Sequence, residues 1–346
     1  MKTKWGIIGL GGIAERFARS LKLTENAELY AVASRDINKA TPFSEKFSEK
    51  FAEKFATNAT DATDGNVIKP YGSYSELIQD KNVDVIYVAT PMSEHFKNVK
   101  ECLLNGKNVL CEKAFTCTYE EAKELTELAK SRKVFLMEAM WVKFMPVFKK
   151  AKKWFESGKI GEIRTIDASF CRPTPYDPDS RLYRKDLGGG ATLDLGVYPI
   201  SLITAFLGYD CEIESYLDLD KFGVDRNMTA VLKYKNAENN NGRKTYATAR
   251  AGFDIESDCS ATIVGTKGKI ILKQDFYHAK KTLLYDENGN ILEDINTEIP
   301  LDMDFIFQIH EVQNCLENSK LQSDINSLDD TLQNMKIIQC IMDNVE

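Results

Sequence analysis

The first third of the chain alternates two kinds of hydrophobic pattern. Trp5–Leu10, Leu29–Ala33, Val83–Val88 and Val109–Cys111 are short, nearly continuous apolar runs. Runs of this kind suit strands buried on both faces of a parallel sheet. After the first run, Ile13, Ala14, Phe17, Ala18 and Leu21 recur at helical spacing. Tyr119–Arg132, rich in Glu, Lys, Ala and Leu, reads as a long helix, and Val134–Met137 as the last strand of the same sheet. The alternation predicts a parallel sheet with helices on both faces. Residues 44–55 read SEKF-SEKF-AEKF, so Phe43, Phe47, Phe51 and Phe55 lie four apart. That spacing makes one slowly winding stripe and predicts a lengthened helix with one buried edge, a partner-binding helix being the alternative. The polar stretch Asn58–Asn66 reads as a loop returning to the third strand.

After about residue 145 the pattern changes. Pro146–Ser157 is helical and stops at Gly158. Period-two alternation then marks Ile163–Phe170, Met228–Tyr234, Thr245–Phe253, Cys259–Val264 and Lys269–Leu272, with Gly265–Gly268 as a hairpin turn and Asn236–Gly242 as a surface loop. No helical pattern of useful length stands out between these later strands, which predicts a mainly antiparallel sheet. Phe305–Leu316 and Ser327–Met342 return to helix.

Length and charge narrow the function. A chain of 346 residues fits two domains of ~100–200 residues each. A formal net charge of -7 repels phosphate backbones and anionic membranes, so neither nucleic acid nor a membrane is the expected partner. No run reaches the ~20 apolar residues of a membrane span. The first apolar run begins too close to the N-terminus for an export signal and is broken by glycines, so a cytoplasmic location is expected. The eight cysteines contain no C-x-x-C pair, and none of the three histidines sits at ligand spacing from a cysteine pair. Buried reduced thiols and no metal site are the expectation.

Gly9-Leu-Gly11-Gly12-Ile13-Ala14 is a G-x-G-x-x-A motif between a strand and an amphipathic helix, the context in which it binds a dinucleotide. Gly9 permits the tight turn, Gly11 lets backbone approach a pyrophosphate, and Ala14 allows close helix–strand packing. The helix start offers N–H groups to the anion. Where an NAD site places Asp or Glu to hold the ribose hydroxyl, this chain has Ser34-Arg35-Asp36, 25 residues after Gly9, with Lys39 one turn on. A hydroxyl and a guanidinium suit a 2′-phosphate, so NADP(H) is preferred, with NAD(H) the alternative. Asp36 opposes that reading if it points at the phosphate.

Several further motifs follow in order: Ala89-Thr90-Pro91 with His95, Val109–Lys113, Phe135–Trp141, Gly188–Tyr198 and Val264–Gly268. Together they resemble the Gfo/Idh/MocA oxidoreductases, and within them the subgroup of dimeric dihydrodiol dehydrogenase and NADP-linked xylose dehydrogenases. The resemblance spans nearly the whole chain. It implies an α/β protein with a Rossmann domain over residues 1–122 and a substrate-binding and oligomerisation α/β domain over 123–346, whose large open sheet pairs in a homodimer or homotetramer. The C-terminal helices would have room to pack back on the first domain. It also implies hydride transfer between a nicotinamide and a carbinol or carbonyl carbon of a sugar, polyol or trans-dihydrodiol.

By the same resemblance, Lys113 lies near nicotinamide and the reacting oxygen, Tyr198 is the acid/base, and Trp141 lines the cofactor or substrate pocket. Thr90, Pro91, His95 and Glu112 flank the cofactor with Gly9, Gly11, Gly12 and Ile13. Asp194 either orients the substrate or Lys113, or caps the following helix. Arg172, Tyr176 and Tyr183 precede the glycine run and are within reach of a substrate in the chain order. Ala114 stands where the family has proline, and proline is the residue that makes a cis peptide cheap, so the placing of Lys113 is the open point. The Lys–Tyr pairing is chemically sufficient. A free phenol titrates near ~10, and bringing it to ~7 needs ~4 kcal/mol of phenolate stabilisation. One ammonium at ~4 Å supplies about that at an effective dielectric near 20. The competing reading is a non-catalytic dinucleotide-binding sensor on the same fold.

Overall fold

In the computed structural model, which describes residues 2–48, 67–235, 244–300 and 303–344, the apolar runs of the first third are strands. They are β1 (Thr3–Ile8), β2 (Ala27–Ala33), β3 (Lys69–Tyr71), β4 (Val85–Val88), β5 (Asn108–Cys111) and β6 (Leu136–Glu138). All pair in parallel in the order β3-β2-β1-β4-β5-β6. Helices α1 (Gly12–Lys22), α2 (Ile37–Ser48), α3 (Tyr74–Gln79), α4 (His95–Leu104) and α5 (Tyr119–Arg132) connect them. This is the Rossmann order, and the chain reverses direction across the sheet at β1, which pairs with both β2 and β4. Ligands bind such sheets beyond the carboxyl ends of the strands at that reversal. Helix α1 buries Ala14, Phe17, Ala18 and Leu21, the stripe its sequence predicts. In α2, Phe43 and Phe47 pack 4.9 Å apart. Phe51, Phe55 and the 58–66 stretch lie outside the described residues, as does the 236–242 loop.

Two compact units share the chain. One comprises Met1–Phe115, Glu121–Ala139 and Asp302–Leu328, the other Thr116–Glu120, Met140–Leu301 and Asp329–Glu346. A boundary at 122 therefore falls inside α5. The first unit runs on to 139 because β6 completes its sheet by pairing with β5. The tail divides. Helix α8 (Ile306–Glu317) joins the first unit, where Phe305 lies 6.3 Å from Phe17, and Asn326 Nδ2 donates to the Glu138 carbonyl at 3.1 Å. Helix α9 (Leu328–Asp343) belongs almost wholly to the second unit, held there by Thr204 Oγ1 donating to Asn334 Oδ1 at 2.7 Å.

The second unit is built on β7 (Ile163–Cys171), β8 (Cys211–Leu219), β9 (Asp225–Tyr234), β10 (Thr245–Gly252), β11 (Ala261–Gly265), β12 (Gly268–Leu272), β13 (Lys281–Asp286) and β14 (Ile291–Asn296). Their order is β14-β13-β12-β11-β7-β10-β9-β8, antiparallel throughout except for the parallel pair β7–β10. Helices α6 (Pro146–Glu156) and α7 (Val197–Leu207) pack against this sheet.

Helix α7 corrects the expectation that no helix interrupts the later strands. Nine of its eleven residues are buried, so no polar stripe exists to reveal it by period. Strands β8, β13 and β14 also escape the pattern, because β8 and β14 at the sheet edges alternate only between half-buried and exposed. The expectation that no stretch is long and apolar enough for a bilayer needs one amendment: Lys185–Leu207 passes by length and hydropathy, but 83% of its apolar window is buried, as in a core helix. All eight cysteines are free thiols. Cys102, Cys111, Cys171, Cys259 and Cys315 are buried as expected, Cys117 and Cys211 are half-buried, and Cys340 is exposed.

Candidate active site

One cluster of candidate residues lies at the carboxyl ends of β1, β2, β4 and β5. Gly9 follows β1 at φ +85°, and a Cβ there would come within 2.6 Å of Thr90 N and 2.7 Å of Ala89 C. The turns after β1 and β4 thus touch through a position only glycine fits. Gly11 caps α1 and Gly12 begins it, and a Cβ at either would meet nothing within 4 Å. Open space above first-turn N–H groups that the helix itself leaves unused is the cradle a diphosphate needs. Ile13 is 37% exposed on the same turn, while Ala14 is fully buried against the sheet.

At the end of β2, Ser34 is buried, and Arg35 and Lys39 are exposed at the start of α2. Asp36 turns one side-chain oxygen to its own helix. Its Oδ1 accepts from Asn38 N at 2.9 Å, closing the first turn of α2. Tyr74, unnoticed in the sequence, opens α3. Burial pushes its phenol up, and the neighbouring Arg35 guanidinium opposes that.

His95 begins α4, and both of its ring nitrogens face backbone carbonyls. It is 1% exposed, with Nε2 2.9 Å from the Thr90 carbonyl and Nδ1 3.1 and 3.2 Å from the carbonyls of Ala114 and Phe115. Burial pushes its pKa down. The ring therefore spans the backbones of the turns after β4 and β5. Thr90 Oγ1 accepts from Asn98 Nδ2 at 3.1 Å, and Pro91 opens the short turn Met92–Glu94. Glu112 is also internal. The Tyr87 hydroxyl donates to its Oε1, and Lys113 N donates to its Oε2 at 3.2 Å. Burial pushes this carboxyl up, and the Tyr87 bond and the Lys113 charge pull against that. Tyr87 in turn stacks on Phe17 at 3.7 Å. Lys113 itself is half-buried at the end of β5, and the Lys113–Ala114 peptide is cis.

A second cluster of candidate residues lies in the other unit. Trp141 and Tyr198, 57 residues apart, meet: indole Nε1 donates to the Tyr198 oxygen at 3.0 Å, with both side chains buried. Phe170 and Tyr277 stack at 4.0 Å, and Tyr198 lies 5.4 Å from the first ring and 5.7 Å from the second. His278 lies 5.7 Å from Trp141. Phe170, Tyr277 and His278 carried no sequence signal, because they come from β7 and from the turn Phe276–His278, which only the sheet brings together. Arg172 pairs with Asp275 and hydrogen-bonds Tyr277. Tyr183 serves structure, its hydroxyl donating to the Thr174 carbonyl at 2.8 Å, and Tyr176 is exposed beside it.

Asp194 sits in the π-helical segment Thr192–Gly196, which runs without a break into α7. It is not a helix cap, since the cap position, Gly196, has no side-chain bond. Instead Oδ1 accepts from Arg181 Nη1 and Nη2 at 3.3 Å. The glycine run before it has a packing cause. A Cβ on Gly189 would lie 2.7–2.8 Å from the carbonyl oxygens of Arg181, Leu182 and Arg184, and one on Gly190 (φ +127°) 2.0 Å from Asp225 Oδ1. Among the described residues no group of three or more His, Cys, Asp or Glu side chains is arranged to hold a metal.

Comparison with known proteins bears on both units. Residues 3–140 match the family model described as an oxidoreductase family with an NAD-binding Rossmann fold, and residues 148–271 match the GFO/IDH/MocA C-terminal domain. The chain is similar to a D-xylose 1-dehydrogenase (NADP+) of Hypocrea jecorina, at 35% identity over 92% of this chain and 86% of that one. It is 30% identical to a trans-1,2-dihydrobenzene-1,2-diol dehydrogenase of Xenopus tropicalis, over 99% of this chain and 97% of that one. Among solved structures, a 3-ketoreductase from Actinomadura kijaniata in complex with NADP and TDP-benzene superposes with TM-score 0.81 at 25% identity, covering 99% of this chain and 97% of that one.

Proposed function

The chain belongs to the GFO/IDH/MocA oxidoreductase family and is an NAD(P)-dependent enzyme acting on CH–OH groups; on that premise we propose that Tyr198 is its acid/base, Lys113 its electrostatic partner, and a sugar, polyol or trans-dihydrodiol its substrate. The observation that carries the reading is the buried Tyr198 phenol, hydrogen-bonded at its oxygen and walled by Trp141, Phe170 and Tyr277. Such a wall suits the apolar face of a sugar or cyclic diol, while the phenol handles its hydroxyl.

A bound nicotinamide supplies or takes the hydride. The glycine turn and first turn of α1 would hold its diphosphate, and Ser34, Arg35 and Lys39 its 2′-phosphate. The rest is proton work. In oxidation Tyr198 Oη takes the substrate hydroxyl proton as the C–H bond breaks, and in reduction it returns that proton to the new alkoxide. The Lys113 ammonium favours the phenolate and the developing oxyanion alike. Glu112 and His95 hold the backbone on either side of Lys113, and Asp194 steadies the Arg181 loop.

The test is turnover of a panel of pentoses, hexoses and trans-diols, read at the reduced-nicotinamide absorbance. Silence across the panel would return the sensor reading. Cofactor choice has its own check. Asp36 turns one carboxylate oxygen to the backbone of its own helix, and Arg35 and Lys39 would supply the positive charge to a 2′-phosphate. Arg35→Ala raises the Kd for NADPH by about 30-fold, the worth of one or two charge-assisted hydrogen bonds, and leaves NADH binding unchanged. Equal weakening of both cofactors, or tighter NADH binding by the unaltered chain, overturns the NADP(H) preference.

We also place the protein in the cytoplasm as a dimer or tetramer. Tyr216 (71% exposed), Tyr246 (43%) and Ile291 (57%) lie on one face of the second unit's sheet, an apolar set suited to pairing with a second copy. Sedimentation should show a multiple of the 39.1 kDa chain, and Tyr216→Asp should lower it. A 39.1 kDa species for the unaltered chain removes the proposal.

A further inference from the structure

The bond between Trp141 and Tyr198 is chemically asymmetric. An indole nitrogen carries a proton and has no accepting lone pair, so it can only donate. A phenol oxygen both donates and accepts. In the 3.0 Å contact, therefore, Trp141 is always donor and Tyr198 Oη always acceptor. Two consequences follow. One lone pair of Tyr198 is committed to the indole, so the phenol's own proton points in another direction. And a donor at that oxygen favours the phenolate over the phenol, because a hydrogen bond to a charged acceptor is stronger than one to a neutral acceptor.

We propose that Trp141 is a positioning residue that acts through Tyr198: its indole N–H aims the Tyr198 hydroxyl away from the aromatic wall and eases its ionisation. This rests on Tyr198 being the acid/base, and goes beyond it by assigning what Trp141 does there. The geometry fits a fixed donor. Trp141 is 3% exposed and Tyr198 6%, so water does not compete freely for the bond. The two rings meet edge to face at 87°, and Phe170 and Tyr277 hold the phenol from β7 and from the Phe276–His278 turn.

Several other polar groups of the same unit lie near the Trp141–Tyr198 pair. Tyr277 lies 5.7 Å away, ring to ring, and its hydroxyl is engaged by Arg172, which Asp275 neutralises. His278 faces Trp141 rather than Tyr198 among the ring contacts. Lys143 shares the Trp141 turn and is buried. On the Tyr198 element itself, Asp194 is paired with Arg181. Each persists when the indole N–H alone is removed, so the difference between variants reads that bond.

The experiment follows Tyr198 ionisation directly. Tyrosinate absorbance is titrated in the chain and in Tyr198→Phe, and the difference isolates Tyr198. Trp141→Phe should move that midpoint up by about one pH unit, a tenfold change in ionisation. Replacing Trp141 with 3-benzothienylalanine, which keeps the ring shape and lacks only the N–H, should do the same. Trp141→His, which restores an N–H, should bring part of the shift back. With D-xylose as probe, the alkaline or acid limb of kcat/KM moves with the midpoint, and NADPH affinity does not. An unmoved midpoint in the benzothienyl variant overturns the proposal. If instead Tyr198→Phe retains full activity while the midpoint moves, the hydrogen bond acts as described and the acid/base reading is what fails.

Discussion

Replacing Tyr198 by phenylalanine should lower kcat/KM by about three orders of magnitude and leave NADPH binding where it was. The size is that of a lost general acid–base group, ~10²–10⁴-fold. The ring keeps its packing against Phe170 and Tyr277, so only the hydroxyl is removed. On the proposed mechanism Lys113→Ala should cost a comparable factor for a different reason: Tyr198 keeps its oxygen but loses the positive charge proposed to favour its phenolate. If the lysine works through the phenolate, the two losses are not independent. The double variant should then be little worse than Tyr198→Phe alone, as for groups that act as a unit. Losses that multiply would show separate roles for the two residues. A Tyr198→Phe enzyme within threefold of the unaltered one would end the acid/base assignment.

The largest effect on stability should come from Gly190→Ala. This residue sits at φ +127°, where a side chain is strained, and its new methyl would lie 2.0 Å from Asp225 Oδ1. The carboxylate cannot simply move aside. It is buried at the start of β9 and accepts from Thr192 N at 2.6 Å and Thr192 Oγ1 at 2.7 Å. Burial pushes its pKa up and the Thr192 bonds hold it down. Displacing it strands buried donors and a buried acceptor together, at a cost of roughly 3–5 kcal/mol. In a unit of this size that is about 10 °C in Tm. Adding Asp225→Ser, which clears the space, should recover part of the loss. A Tm within two or three degrees of the unaltered chain, on the order of 1 kcal/mol, would show that the turn before Tyr198 is not locked this way.

Much of the fold was legible because it is local. Val85–Val88 is fully buried and reads as a continuous apolar run, and Ala14, Phe17, Ala18 and Leu21 form one face of α1. Period alone identifies such elements. Helix α7 was not legible for the converse reason: buried on nearly every side, it has no polar face to mark its period. Edge strands β8 and β14 failed through the opposite excess, too much exposure to alternate clearly. The boundary at 122 leaves β6 outside the first unit, although Val134–Met137 reads in the sequence as the last strand of that sheet and pairs with β5 there.

The site divides in the same way. Sequence by itself determined the parallel sheet, the glycine turn, the serine–arginine pair at the end of β2 and the presence of Lys113 and Tyr198, because each is a short run of neighbours along the chain. Only the tertiary structure decided that Asp36 serves its own helix, that His95 braces two backbones, that Gly190 makes room for Asp225, and that Trp141 donates to Tyr198. Apart from the Asp36 turn, those are contacts between residues brought close by the folded backbone and not by their spacing. A hydrogen bond between positions 141 and 198 leaves no period in the sequence, since the intervening chain can be any that folds to the same sheet.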